Sequence, residues 1–130
     1  ANNTALEAAY PGRVEVKWLA HAEVAQALAI CDQGIMVREH TITNQVASPT
    51  KFAEYLRAGL PVIVSEGIGD LAELVTRDRL GQVHRPHGPL PHVERTSASE
   101  RERLTKYAIA HFSKRTFDGE YRALLHRLNP

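Results

Sequence analysis

In residues 13–19, RVEVKWL, valines alternate with charged residues, the period of a strand with one packed face. The period changes in residues 21–30, HAEVAQALAI. There Val24, Leu28 and the small alanines fall on one helical stripe, and Glu23 sits in the first turn, where the helix dipole favours an acid. Residues 34–37, GIMV, form a short unbroken apolar run suited to a buried strand. The polar stretch REHTITNQVA after it predicts a loop.

A sharper boundary follows. Ser48 is a good N-cap, and Pro49 falls at the first helical position, where its missing N–H costs nothing. The predicted helix PTKFAEYLRA closes at Gly59, a plausible C-cap. LPVIVS is another buried strand, with Pro61 at its start, where proline is tolerated. GIGDLAELV turns into a further helix, with Asp70 as N-cap and Glu73 three residues on completing a capping-box pattern. LGQVH is a last short strand, and RPHGPLPHVERTSAS, rich in proline, glycine and serine, is a loop. Residues 96–130 predict two helices. Leu104, Tyr107 and Ile109 serve the first; Tyr121, Leu124, Leu125 and Leu128 serve the second, with a break near Asp118 and Gly119.

Strands alternating with helices predict one α/β domain over residues 1–130. It is expected to be Rossmann-like, a three-layer α/β/α arrangement with a short parallel sheet and two C-terminal helices. Crossovers between parallel strands are right-handed. Ligands of such sheets bind beyond the carboxyl ends of the strands. The loops after residues 34–37 and 60–65 both leave by that edge and lead to helix starts at Ser48 and Asp70. Free backbone N–H groups at two helix starts make this edge a natural anion site.

Composition narrows the partners. With 130 residues, 43% hydrophobic and 24% charged, the chain is an ordinary globular domain able to bury a core. A formal net charge of +1 gives no electrostatic reason to expect nucleic acid as a partner. Cys31 is the single cysteine, so no internal disulfide can form, and a cytoplasmic location is expected. No apolar run reaches bilayer length, and no signal-peptide pattern is visible. The opening ANNTALEAAYPG, without methionine, reads as a trimmed chain or a piece of a longer one.

Four groups of residues could carry chemistry. Lys51 and Glu54, three apart, share a face near a helix start, while Phe52, Tyr55 and Leu56 turn towards the sheet. The lysine could meet a phosphate as a point charge. The carboxylate could accept both hydroxyls of a ribose. The plain alternative is a surface ion pair. GIGDLA fits the dinucleotide pattern G-x-G-x-x-[G/A], but the acid expected at the end of the next strand is replaced by His84, Arg85 and Pro86. A tight turn before a helix explains Gly67 and Gly69 as well. His84, His87 and His92 lie close in sequence without a cysteine or carboxylate beside them, so no metal is expected and a solvated loop is the simpler reading. Cys31 reads as a small packed residue.

The stretch NQVASPTKFAEYLRAGLPVIVSEGIGDLAELV resembles the C-terminal domain of glycosyltransferases of the GT-B fold, family-4 type. The shared pattern is a proline, a lysine, a glutamate, a small residue with glycine, then Pro-Val and a strand. WLAHAEVAQALAICDQGIMV is similar to the helix and strand before the donor site of those enzymes, and HFSKRTFDGEYRALLHRL to their last two helices. The resemblance implies a nucleotide-diphosphate sugar as substrate, transferred to an acceptor, usually with retention, and no metal or other cofactor in this domain. Glu54 would hold the ribose hydroxyls. Lys51 and the backbone around Ser48, Pro49 and Thr50 would lie near the diphosphate, with Gly67 and Gly69 in the neighbouring wall.

Many members carry a first glutamate eight positions before the second. Val46 stands there in this chain, leaving Asn44 or Arg38 as candidates for the sugar contacts. The resemblance further implies most of the C-terminal half of a larger enzyme, without its first strand and helix. The partner would be an N-terminal acceptor domain, and that parent could sit against the inner face of a membrane. An exposed sheet edge in such a piece predicts self-association. The alternatives are an epimerase-like nucleotide-sugar enzyme, a dinucleotide-binding module through GIGDLA, and a non-enzymatic interaction domain.

Overall fold

A computed structural model describes residues 3–39, 41–45, 50–89, 91–113 and 118–128. In chain order the elements are α1 (Asn3–Ala9), α2 (His21–Ala29), β1 (Gly34–Met36), α3 (Ile42–Gln45), α4 (Thr50–Arg57), β2 (Val62–Ser65), α5 (Leu71–Arg77), β3 (Gly81–His84), α6 (Ala98–Phe112) and α7 (Asp118–Leu128). The three strands are parallel in the order β1-β2-β3, so the chain is a small Rossmann-like α/β domain. Register pairs Gly34 with Val62 and Met36 with Val64, and carries Val62 to Gly81 and Val64 to Val83.

That register sorts the sheet's faces. Met36, Val62 and Val64 share one face and join a single core with Phe52 and Leu56 of α4, Leu71 and Val75 of α5, and Leu104 and Ala108 of α6. Ile63 points to the other face and is buried to 1% exposure. Gln82, opposite Ile63, donates from Nε2 to the His92 carbonyl at 3.1 Å, so the segment that carries His92 passes along that second face. Four consecutive residues of β2 are buried, the mark of a central parallel strand.

Gly59 closes α4 as its position in the sequence implies. It takes φ 75°, its N–H donates to Leu56 O, and the Leu60 N–H donates to Tyr55 O, both at 3.0 Å. These two bonds make a Schellman motif, which turns the chain straight into β2. Glu23 also acts as its position implies: Oε2 accepts from the Ala20 N–H at 2.8 Å and closes the start of α2.

Other expectations are corrected. Residues 13–19 form no strand. Their alternation is real, since Val14 and Val16 are half-buried while Glu15 and Lys17 are exposed and paired at 2.9 Å. No neighbouring strand lies beside them among the described residues; the Val16 N–H donates instead to Glu7 Oε1 at 2.7 Å. The polar stretch after β1 contains α3, whose first turn is held by Asn44 N–H donating to Thr41 Oγ1 at 3.3 Å. Asp70 makes no capping side-chain bond at α5, so the expected capping box is not formed. The opening residues, read without secondary structure, form α1.

The C-terminal helices also differ from their sequence pattern. Asp118 and Gly119 lie in the first turn of α7, and α6 already ends at Phe112. Ala108, rather than Ile109, joins Leu104 and Tyr107 on the packing face of α6. Tyr121, Leu124 and Leu125 are exposed on α7; the side chain of Leu128 lies outside the described residues. No helix among the described residues is long and apolar enough to cross a membrane.

Candidate functional site

Three parallel strands end side by side at Met36, Ser65 and His84, which fixes where their loops can form a site. Ser65 holds this edge together. Its side chain is buried to 4% exposure; Oγ accepts from the Arg38 N–H at 2.9 Å and donates to the Arg38 carbonyl at 3.0 Å. A hydroxyl thus replaces the next rung between β1 and β2. The Glu66 N–H donates to the His84 carbonyl at 3.0 Å and extends the other pairing by a residue.

Beyond these ends lies a cleft of about 320 Å³, lined by Val37, Arg38, Glu39, Ser65, Glu66, His84, Pro86 and His87. Arg38, Glu39 and Glu66 are exposed at its rim. Arg38 Nη1 donates to Asn44 Oδ1 at 3.4 Å, and Asn44 Nδ2 donates to the Glu39 carbonyl at 2.7 Å. Arg38 and Asn44, both expected near a sugar, therefore meet on the loop after β1. His84 Nδ1 is buried with no hydrogen-bond partner, which is uncommon for a buried polar atom.

Glu54 lies elsewhere. It is half-buried in the wall of a second cleft, about 360 Å³, between α2 and α4, with His21, Val24, Ala25, Leu28, Arg57 and Ala58. No residue lines both clefts. Beside Glu54, burial pushes the Tyr55 phenol above its ordinary value, with the charges of Glu54 and Cys31 adding to the shift. Thr50 and Lys51 are exposed in the first turn of α4. Ser48 and Pro49, together with Val46, lie outside the described residues. Gly67 and Gly69 take φ 81° and 49° in the turn from β2 into α5. Ile68 between them is buried, so this turn is anchored to the core.

Phe52, Tyr55 and Leu56 pack inward as their spacing implies. Cys31 is half-buried, with Sγ 3.3 Å from the Ala27 carbonyl. Of the three histidines, His84 and His87 line the carboxyl-edge cleft and His92 does not. Among the described residues no three His, Cys, Asp or Glu side chains gather to hold a metal ion.

Glu39, Ser65 and Glu66 belong to no motif in the sequence. Their signal is positional: Ser65 ends β2, Glu66 follows it directly and Glu39 lies in the loop after β1, at the edge where ligands of parallel sheets bind. Compared with protein-family models, curated proteins and solved structures, the chain finds no match.

Proposed function

We propose that this chain is the donor-binding part of a glycosyltransferase that moves a sugar from a nucleotide-diphosphate sugar to an acceptor. The observation that carries this reading is the stretch from Thr50 to Asp70. It combines an α4 that presents Lys51 and Glu54, a Schellman stop at Gly59, a fully buried β2 and a glycine turn beside the carboxyl-edge cleft. In this proposal Glu54 holds the ribose, Lys51 and Thr50 lie towards the diphosphate, and Arg38 with Asn44 faces the sugar. Glu54 lines the cleft against α2 and Arg38 the carboxyl-edge cleft, so in this proposal the donor has to reach both.

Isothermal titration of the chain with UDP- and GDP-sugars tests the assignment. Glu54→Ala is expected to weaken binding about tenfold, the usual effect of losing hydrogen bonds to a charged group. Undiminished binding in that variant removes the role given to Glu54. Sugar transfer requires a second domain that closes on donor and acceptor, which positions the reactants and excludes water. These 130 residues alone are therefore expected to turn over no donor.

Self-association of the chain belongs to the same proposal. Trp18 is 97% exposed, Ile30 86% and Ile42 81%, and the outer edge of β1 pairs with no described strand. Light scattering that finds only monomer at high concentration would count against it.

A further inference from the structure

We propose that the outer edge of β1 takes β1 of a second copy of this chain, antiparallel across a two-fold axis at Ile35, so that two three-stranded sheets join into one. The inference does not rest on the nucleotide-sugar reading; it gives the self-association put forward above a surface and a geometry. The direction of the backbone groups along β1 supports it. The Gly34 N–H donates to the Pro61 carbonyl at 2.9 Å, and Ser65 Oγ engages both the N–H and the carbonyl of Arg38. Gly34, Met36 and Arg38 therefore turn their backbone towards β2, and alternation turns that of Ile35 and Val37 outward. No described strand pairs with that outer side. The side chains there are apolar and open: Ile35 is 54% exposed and Val37 43%, while Met36 between them is buried.

Charge selects the occupant. Residues 32–38 read DQGIMVR, with an acid at one end, a base at the other and Ile35 at the centre. Antiparallel pairing that sets Ile35 against its own copy sets Val37 against Gln33, and Asp32 against Arg38 at both ends. The two Ile35 residues would exchange both N–H···O bonds, and their β-branched side chains would meet as a cross-strand pair. Both charges are within reach of solvent: the Asp32 side chain is 44% exposed beside Arg101, its partner at 3.2 Å, and Arg38 is exposed. Parallel pairing along the same edge would set Asp32 beside Asp32 and Arg38 beside Arg38, and like charges directly opposite oppose pairing. An unrelated strand can meet the backbone groups, but a second copy brings the matching charges as well. Pairing across a two-fold axis also consumes both edges, so the assembly closes as a dimer.

One strand pair covers less than the roughly 1,200 Å² of a standard interface, so the dimer is expected to be weak. Sedimentation equilibrium of the whole chain, from micromolar to millimolar concentration, is expected to show monomer and dimer and nothing larger. Ile35→Lys places two like charges on the axis and is expected to weaken association at least about tenfold. Ile35→Glu should do the same alone, and mixing the two variants should restore the dimer. Ile35 is exposed, so neither change enters the core, and the amide shifts of Val64 and Val83 check the sheet. Arg38→Ala removes two exposed ion pairs and is expected to weaken the dimer about fivefold; tightening would mean parallel strands and overturn the inference. Monomer alone at every concentration, or no recovery on mixing the two variants, overturns it too. A dimer unchanged by Ile35→Lys keeps self-association but removes it from β1. Failure of the chain to bind UDP- and GDP-sugars removes the nucleotide reading and leaves the edge pairing standing.

Discussion

Two glycines that look alike in sequence have opposite roles. A Cβ on Gly81 would lie 1.9 Å from the Val62 carbonyl oxygen and 2.5 Å from its nitrogen, so β2 and β3 could not keep their register. Gly81→Ala is expected to cost about 3 kcal/mol, measured as a lower urea midpoint at unchanged slope. Gly119 sits in α7, where an added methyl group would meet nothing within 4 Å, and Gly119→Ala should gain up to about 1 kcal/mol of helix propensity instead. The sequence pattern places Gly81 in a short strand and Gly119 at a break between helices, and neither reading says what a side chain there would meet. Only the strand packed against Gly81 separates them. Ser65 follows the same logic: its sequence context marks the end of an apolar run, whereas its bonds to Arg38 come from a residue 27 positions away.

Among the elements, α6 and α7 carry similar apolar stripes but different energies. Leu104 is fully buried among α4, α5 and the sheet, and Leu104→Ala is expected to cost about 2–5 kcal/mol in chemical unfolding. Leu125 on α7 is exposed, and Leu125→Ala should change stability by no more than about 0.5 kcal/mol. The junction of α5 with α6 adds a pH dependence. Arg77 donates to Asp78 through Nε at 2.9 Å and Nη2 at 3.1 Å, and the Tyr107 hydroxyl donates to the same carboxylate. Arg77 first, then Tyr107, holds Asp78 down to about 2 from its ordinary 3.8. Burial first, then the bond to Asp78, pushes the Tyr107 phenol up to about 12.

The signs follow from proton uptake. The unfolded chain protonates Asp78 first as pH falls below 3.8, so the contribution of Asp78 is complete above that value and lost on the way to about 2. The contribution of Tyr107 is complete below its ordinary 10.0 and lost as pH rises through about 12. Melting temperatures measured across both ranges should fall at each end, and Tyr107→Phe should flatten the alkaline limb. An alkaline limb identical to wild type would remove the Tyr107–Asp78 bond as its cause.

Across the whole molecule, β2 is paired on both sides and buried along its length, while residues 13–19 have the pattern of a strand and no ladder. Hydrogen exchange is expected to be slowest at the β2 amides and fast at Lys17 and Trp18. Protection at Trp18 equal to that of Val64 would show that these residues pair after all. The candidate site was legible to the same extent as the sheet. The carboxyl edge could be read from strand order, and Arg38 and Asn44 do meet there, at 3.4 Å. The position of Glu54 in the wall against α2 could not, because helix spacing says which residues share a face but not which neighbour that face meets.

Pattern along the chain was enough to set the local elements: the periods of α2, α4 and α6, the strands β1, β2 and β3, and the stop at Gly59; the full burial expected of an apolar run holds for β2 but not for β1, where Ile35 is exposed. These depend on contacts within a few residues, where side-chain spacing and backbone preference act directly. Which patterned segments found partners was settled only by tertiary contacts. Residues 13–19 and α7 carry periods as clear as those of β2 and α6, yet a strand needs a neighbour's hydrogen bonds and a helix stripe needs a face to bury against. Tertiary contacts likewise gather Glu39, Glu66, His84 and His87, separated in the chain, into one cleft, because only parallel strand ends bring their loops together.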